Sequence, residues 1–190
     1  MKRQVLAFLS VIILILSPLC TTASVNASAD KSQDSDSWPS GPSVFAESAI
    51  VMEASTGLVL YEKNTTTKRY PASITKIMTA LLAIENSSLG DVVTFSKNAV
   101  FDVDLDSSRI GIDVGEQLTM QQCLYAILLE SANEVSYAVA EHVGGSIPAF
   151  AQMMNDKAKS LGCKNTNFTN PHGLHDENHY TSAYDMALIT

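Results

Sequence analysis

The chain has 190 residues, of which 46% are hydrophobic and 17% charged, a globular rather than a disordered composition. Six prolines and nine glycines exclude collagen-like or proline-rich character. Twelve basic residues against twenty acidic ones give a net charge of -8, which argues against nucleic acid as a partner because phosphate binding needs a basic surface.

Met1, Lys2 and Arg3 form a short positive start, followed by an apolar run from Val5 to Leu19. Ala27-Ser28-Ala29 then supplies small residues at the spacing a signal peptidase reads. The run is short for a permanent membrane span. Residues 1–29 are therefore expected to be a cleaved secretory leader. Cys20 would suit a lipoprotein, but Pro18-Leu19 ahead of it fits that motif badly. Cleavage removes Lys2 and Arg3 and no acid, which moves the net charge from -8 to -10. The protein is expected outside the cytoplasm, at the cell wall or the outer face of the membrane. No anchor beyond the leader is expected in these residues.

Asp30 to Val44 is expected to be a disordered polar linker, with order beginning near Phe45. Ala49 to Glu53 and Leu58 to Glu62 predict two strands around the turn Ala54-Ser55-Thr56-Gly57. Pro71 biases Tyr70 towards an extended backbone, and a helix is predicted from Ser73 to Asn86. Its apolar stripe is Ile74, Ile77, Met78, Leu81 and Leu82, with Ser73 and Lys76 on a different face. A short strand at Val92 to Phe95 and a helical turn at Ser96 to Val100 follow.

Phe101 to Gly115 is acidic and glycine-containing, and reads as a solvated loop. A calcium loop is rejected: counting from Asp102, position six is Ser107 instead of Gly and position twelve is Asp113 instead of Glu. Thr119 with Gln122 forms a capping box for a helix ending near Glu130, with Met120, Cys123, Leu124, Ile127 and Leu128 as its stripe. A second helix runs from Asn133 to His142 and is closed by Gly144-Gly145. A third carries Ile147, Phe150, Ala151, Met154, Ala158 and Leu161 and is closed by Gly162. Asn165 to Tyr180 is polar loop or short strand. Ser182 with Asp185 caps a last helix from Ala183 to Thr190. Export permits a disulfide between Cys123 and Cys163, yet Cys123 lies within an apolar helical pattern and reads as an ordinary core thiol.

Ser73 and Lys76 are three apart at a helix start and share a face. A neutral lysine can take the proton of a serine hydroxyl and make it a nucleophile. That needs the amine well below its usual pKa of about 10.4. The plain alternative is a serine N-cap followed by a solvated lysine. Ser131-Ala132-Asn133 lies at the break between two apolar helices, where a polar tripeptide can reach a cleft. Its plain alternative is a cap joining those helices. Together, Ser-x-x-Lys and a later Ser-x-Asn form the signature of penicillin-recognising serine enzymes.

On these residues the chain resembles the low-molecular-mass penicillin-binding proteins, the serine D-alanyl-D-alanine carboxypeptidases. The resemblance runs through Glu53 to Gly57, Pro71 to Thr79, Ser131 to Glu134, Ala140 to Ser146, Thr169 to Leu174 and His179 to Ser182. It implies an α+β fold, a helical cluster packed on an antiparallel sheet as in serine β-lactamases and D,D-peptidases. Residues 45–190 would be part of that catalytic domain, ending before the closing strands. By the same resemblance Ser73 is the acylated nucleophile and Lys76 its base. Ser131 relays a proton to the leaving amine, and Asn133 holds the substrate's peptide carbonyl. The implied substrate is a peptidoglycan stem peptide ending in D-Ala-D-Ala, and β-lactams would be covalent inhibitors.

The middle motif here is Ser-Ala-Asn where the family often has Ser-Gly-Asn, a single added methyl. The family's third element, Lys-Thr-Gly, does not occur in the 190 residues. The fragment alone is therefore expected to be weakly folded and catalytically silent, and a silent peptidoglycan-binding remnant is the alternative reading. His172, His175 and His179 with Asp176 and Glu177 raise a zinc peptidase. Neither His-Glu-x-x-His nor its inverse is present, and no cofactor is expected.

Overall fold

The computed structural model describes residues 41–190; the leader expected over 1–29 and the linker as far as residue 40 lie outside the described residues. Strands β1 (Ala49–Met52) and β2 (Val59–Lys63) pair antiparallel, Ala49 opposite Lys63, with a bulge between Val51 and Met52. Glu53 organises the turn between them. Its carboxylate accepts the Thr56 amide at 2.7 Å and the Ser55 amide at 3.1 Å. The Thr56 hydroxyl, those two amides and the Ser55 hydroxyl hold this exposed carboxyl down to about 2.

The predicted first helix has two parts. A 3₁₀ turn spans Ala72–Thr75, and α1 (Lys76–Asn86) continues from it. A 3₁₀ turn advances by about 120° per residue instead of about 100°, so Ile74 rotates out of the expected stripe and is 54% exposed. The buried face carries Thr75, Lys76, Met78, Thr79, Leu82 and Ala83, so its first turns are polar.

After β3 (Val92–Thr94) comes α2 (Lys97–Phe101), whose cap Ser96 accepts the Ala99 amide at 3.0 Å. The predicted loop that follows is largely exposed but anchored. Val103 is buried, and the Arg109 guanidinium donates to the carbonyls of Val100 and Val103. Strand β4 (Gln117–Thr119), unforeseen in the sequence, pairs antiparallel with β3. It was hidden because Thr119 both ends the strand and caps α3 (Met120–Leu129) through the predicted box with Gln122. Leu128, expected in the stripe of α3, is 54% exposed.

Helix α4 (Asn133–Gly144) ends at Gly145, whose φ of 75° is the left-handed conformation glycine adopts without cost. Helix α5 (Ile147–Ser160) follows, and α6 (Ala183–Ile189) is capped by Ser182 as expected. Helix α1 packs on α3, α4 and α5. One apolar cluster joins Val93, Phe95, Cys123, Ile127, Val135 and Val139. A second joins Met78, Leu82, Phe150, Met154 and Phe168. Full burial of a side chain such as Phe150 stabilises by roughly 1.5–3 kcal/mol. Cys123 belongs to the first cluster and Cys163 packs beside the second, both as free thiols. Among the described residues no helix is long and apolar enough to cross a membrane.

Candidate functional site

A reciprocal backbone pair places the turn that carries Ser73. Arg69 N donates to Thr181 O at 2.7 Å and Thr181 N to Arg69 O at 2.9 Å, which fixes the chain just before Pro71. Ala72 then takes a φ of 48°, a strained value for a residue with a Cβ. Gly173 lies directly against this bend. A Cβ there would sit 1.8 Å from the Ala72 carbonyl oxygen, so only glycine allows the approach.

Ser73 does not cap a helix, and Lys76 is not solvated. The residue entering α1 is Thr75, with no side-chain cap, and Lys76 is 2% exposed. The lysine Nζ donates to Asn133 Oδ1 at 2.6 Å, to the His172 carbonyl at 2.8 Å and to Ser73 Oγ at 3.2 Å. Three acceptors satisfy an ammonium. A neutral amine has two N–H groups and one lone pair. The two shortest contacts take the N–H groups and leave the lone pair facing the Ser73 hydroxyl. Burial pushes the lysine down from 10.5 to about 8, while the Glu134 carboxylate pulls the other way. At pH 7 about one amine in ten is then neutral. An unperturbed lysine would be neutral in roughly one molecule in several thousand.

The segment from Thr169 to His179 braces α1 from the other side. Thr79 Oγ1 donates to the Pro171 carbonyl at 2.6 Å. Thr169 N donates to His179 Nδ1 at 3.1 Å, so His179 Nε2 carries the proton and donates to Thr75 Oγ1 at 2.8 Å. His172 Nδ1 accepts the Leu174 amide at 3.2 Å. Burial holds both imidazoles down at about 4; the Lys76 charge adds to this at His172, and Asp176 opposes it at His179. His175 packs edge-on against Tyr70, with ring centroids 4.7 Å apart. The three histidines thus hold separate positions and separate partners. Among the described residues no group of three potential ligands converges as a metal site.

Asn133 is 4% exposed in the first turn of α4, and its backbone N donates to the Ser108 carbonyl at 2.9 Å. With Oδ1 engaged by Lys76, Nδ2 is the side-chain group left to donate. Ser131 has a φ of 55°, and its buried hydroxyl has no partner among the described residues. The residue entering α4 is Ala132, without a side-chain cap, so neither Ser131 nor Asn133 serves as a helix cap. Ser73, Lys76 and Asn133 are joined in one hydrogen-bonded set, and Ser131 stands outside it.

Three contributors were not singled out in the sequence: the carbonyls of His172 and Ser108, and the Glu134 side chain. Carbonyls leave no side-chain signal. Glu134 did, as an acid in the first turn of an apolar helix. A cleft of about 250 Å³ opens beside Ser73, lined also by Tyr70, Gly173, Leu174 and His175.

Residues 35–190 match the family described as D-alanyl-D-alanine carboxypeptidase. The D-alanyl-D-alanine carboxypeptidase DacF of Bacillus subtilis is 45% identical over 149 residues, 76% of this chain and 38% of that protein. DacA of Haemophilus influenzae is 36% identical over 153 residues, 78% of this chain and 39% of that protein. The chain therefore spans about two fifths of the length of these curated relatives. Among solved structures, penicillin binding protein 5 from Haemophilus influenzae superposes with a TM-score of 0.75 at 34% identity, over 80% of this chain and 46% of that one. The D-alanyl-D-alanine carboxypeptidase DacD from Francisella tularensis gives 0.74 at 34% identity, over 80% and 37%. The α+β fold expected from the sequence is the fold of these proteins. With a family match over most of its length, the chain belongs to the D-alanyl-D-alanine carboxypeptidase family.

Proposed function

We propose that the protein is a serine D-Ala-D-Ala carboxypeptidase in which Ser73 is acylated, Lys76 is its base, Ser131 relays a proton and Asn133 orients the substrate. The observation that carries this reading is the Lys76 amine, buried between Ser73 Oγ, Asn133 Oδ1 and the His172 carbonyl and pushed down to about 8. A buried, hydrogen-bonded lysine beside a serine at a strained turn is what proton abstraction requires and what a structural lysine does not.

The Lys76 amine takes the Ser73 proton as Oγ bonds to the carbonyl carbon of the penultimate D-alanine. Asn133 Nδ2 donates to a neighbouring peptide carbonyl of the stem and holds it in line. As the bond to the terminal D-alanine breaks, the Ser131 hydroxyl passes a proton to the departing amine. Water then adds to the acyl ester and restores Ser73. No step calls on a metal or cofactor. A β-lactam enters the same sequence and remains as an ester on Ser73.

The substrate is the peptidoglycan stem peptide ending in D-Ala-D-Ala, which places the protein outside the cytoplasmic membrane. Residues 1–29 act as a cleaved leader, and 45–190 are the N-terminal part of the catalytic domain. The positively charged start and the Ala27-Ser28-Ala29 site support export.

The test is release of D-alanine from a D-Ala-D-Ala pentapeptide by the full natural chain, with Ser73→Ala as the control. Release that Ser73→Ala abolishes and that persists after chelation and dialysis supports the reading. Release lost on chelation and restored by zinc contradicts it.

A further inference from the structure

Glu134 is fully buried yet is not part of the reaction derived above. Its Oε1 accepts the Ile110 amide at 2.7 Å and the Gly111 amide at 3.1 Å. Its Oε2 is buried with no partner among the described residues. A carboxylate oxygen left unpaired away from water is costly, and a neutral glutamine would accept the same two amides. Two features offset the cost of the charge. Glu134 lies in the first turn of α4, where the helix dipole favours an anion. It also interacts with the Lys76 charge across the site.

The loop that Glu134 holds is the same loop that holds Asn133. Ser108 accepts the Asn133 backbone amide, and two and three residues later Ile110 and Gly111 donate to Glu134. Adjacent residues at the start of α4 are thus stitched to the loop at Ser108 and at Ile110–Gly111. Asn133 Oδ1 in turn is the shortest of the three contacts to Lys76.

We propose that Glu134 is a positioning residue for acylation: its carboxylate ties the Ile110–Gly111 backbone to the first turn of α4, which fixes Asn133 against Lys76, and it places one negative charge behind the lysine. This rests on the functional reading above. The groups that touch Lys76 Nζ are Ser73 from the 3₁₀ turn, Asn133 from α4 and the His172 carbonyl from the bracing segment, and the Glu134 carboxylate and the His172 imidazole act on it electrostatically. The His172 and His179 imidazoles are both neutral at pH 7, so Glu134 supplies the charge that favours the ammonium. Without Glu134 the lysine would lose its proton more readily, but the loop would lose its tether.

The two contributions separate by substitution in the full natural chain, with acylation by a fluorescent penicillin followed from pH 5 to 10. Glu134→Gln keeps an acceptor for the two amides and removes the charge. Its acidic limb is expected to move to lower pH by about half a unit to one unit. Glu134→Asp keeps the charge on a shorter arm. Its limb is expected to stay near the wild-type position while the maximal rate falls, by up to about 100-fold, through misplacement of Asn133. Melting curves report whether each variant is folded, and rates are compared per folded molecule. An unmoved limb in Glu134→Gln overturns the proposal whether or not its rate falls, because a purely structural glutamate would behave in that way. Wild-type protein that carries no adduct at Ser73 overturns the functional reading as well. An adduct at Ser73 with an unmoved limb overturns this inference alone.

Discussion

The two halves of the site are built differently. On the α1 side, Lys76 is enclosed by three acceptors, and Thr75 and Thr79 each have a partner on the bracing segment. On the α4 side, the Ser131 hydroxyl and one Glu134 oxygen are buried with no partner among the described residues. The difference follows from what each group costs when buried. An ammonium in a dry site without acceptors is prohibitive, so its surroundings must be complete before any ligand arrives. An unpaired hydroxyl costs only about 1–3 kcal/mol, so Ser131 can be kept waiting at a strained backbone position.

This contrast predicts the largest loss at Lys76. Lys76→Met should lower Ser73 acylation by at least about 10²–10⁴-fold, since it removes the proposed base. It should also destabilise the fold by about 2 kcal/mol or more, because Asn133 Oδ1 and the His172 carbonyl lose their donor. Acylation rates and urea titrations read the two effects separately. Wild-type stability in Lys76→Met would mean that the lysine's enclosure is not structural.

Gly173→Ala tests the brace itself. Its new Cβ would collide with the Ala72 carbonyl at a φ of 84°, and neither backbone can yield without moving Ser73. A loss of about 3 kcal/mol is expected, with acylation impaired in the molecules that remain folded. Normal melting and labelling would show that the bend at Ala72 does not depend on this contact.

The bracing histidines set an acid limit. His172 and His179 have folded values near 4, below the ordinary 6.5. Between pH 6.5 and 4 the unfolded chain takes up protons that the folded chain refuses, so stability must fall as pH falls through that window. The melting temperature should drop by roughly 5 °C or more from pH 7 to pH 4.5. His179→Gln should flatten part of that slope, and an equal slope in both proteins would remove His179 from the account.

Ser131→Ala should show no structural loss. Deleting a buried hydroxyl that has no partner among the described residues relieves its burial cost, so stability should not fall and should rise by up to about 1–3 kcal/mol. Turnover of D-Ala-D-Ala peptide should still fall by about 10²-fold. A large loss of stability would reveal a structural partner for this hydroxyl and break the contrast between the two halves.

Much of this arrangement was legible in the sequence because local chemistry carried it. The Thr119–Gln122 box, the Ser182 cap and the Gly144-Gly145 stop are read from neighbours a few residues apart, and all three appear in the structure. Ser73, Lys76, Ser131 and Asn133 were read as one set; Lys76 contacts Ser73 and Asn133, and Ser131 stands apart from them. Hydropathy patterns failed where polarity and burial part company. Ile74 and Leu128 were expected inside and lie outside, whereas Thr75, Thr79 and Glu134 are fully buried. Strand β4 and the Thr169–Leu174 brace depend on backbone groups pairing across long stretches of chain, for which side-chain patterns give no signal.

The most direct measurement is the pH dependence of Ser73 acylation in the full natural chain, with the adduct located by peptide mass mapping. Penicillin should label Ser73, Ser73→Ala should abolish labelling, and the rate should rise with pH to a midpoint near 8 as the Lys76 amine loses its proton. An adduct on another residue, or a rate at Ser73 that does not change between pH 6 and pH 9, would contradict a lysine base at this position.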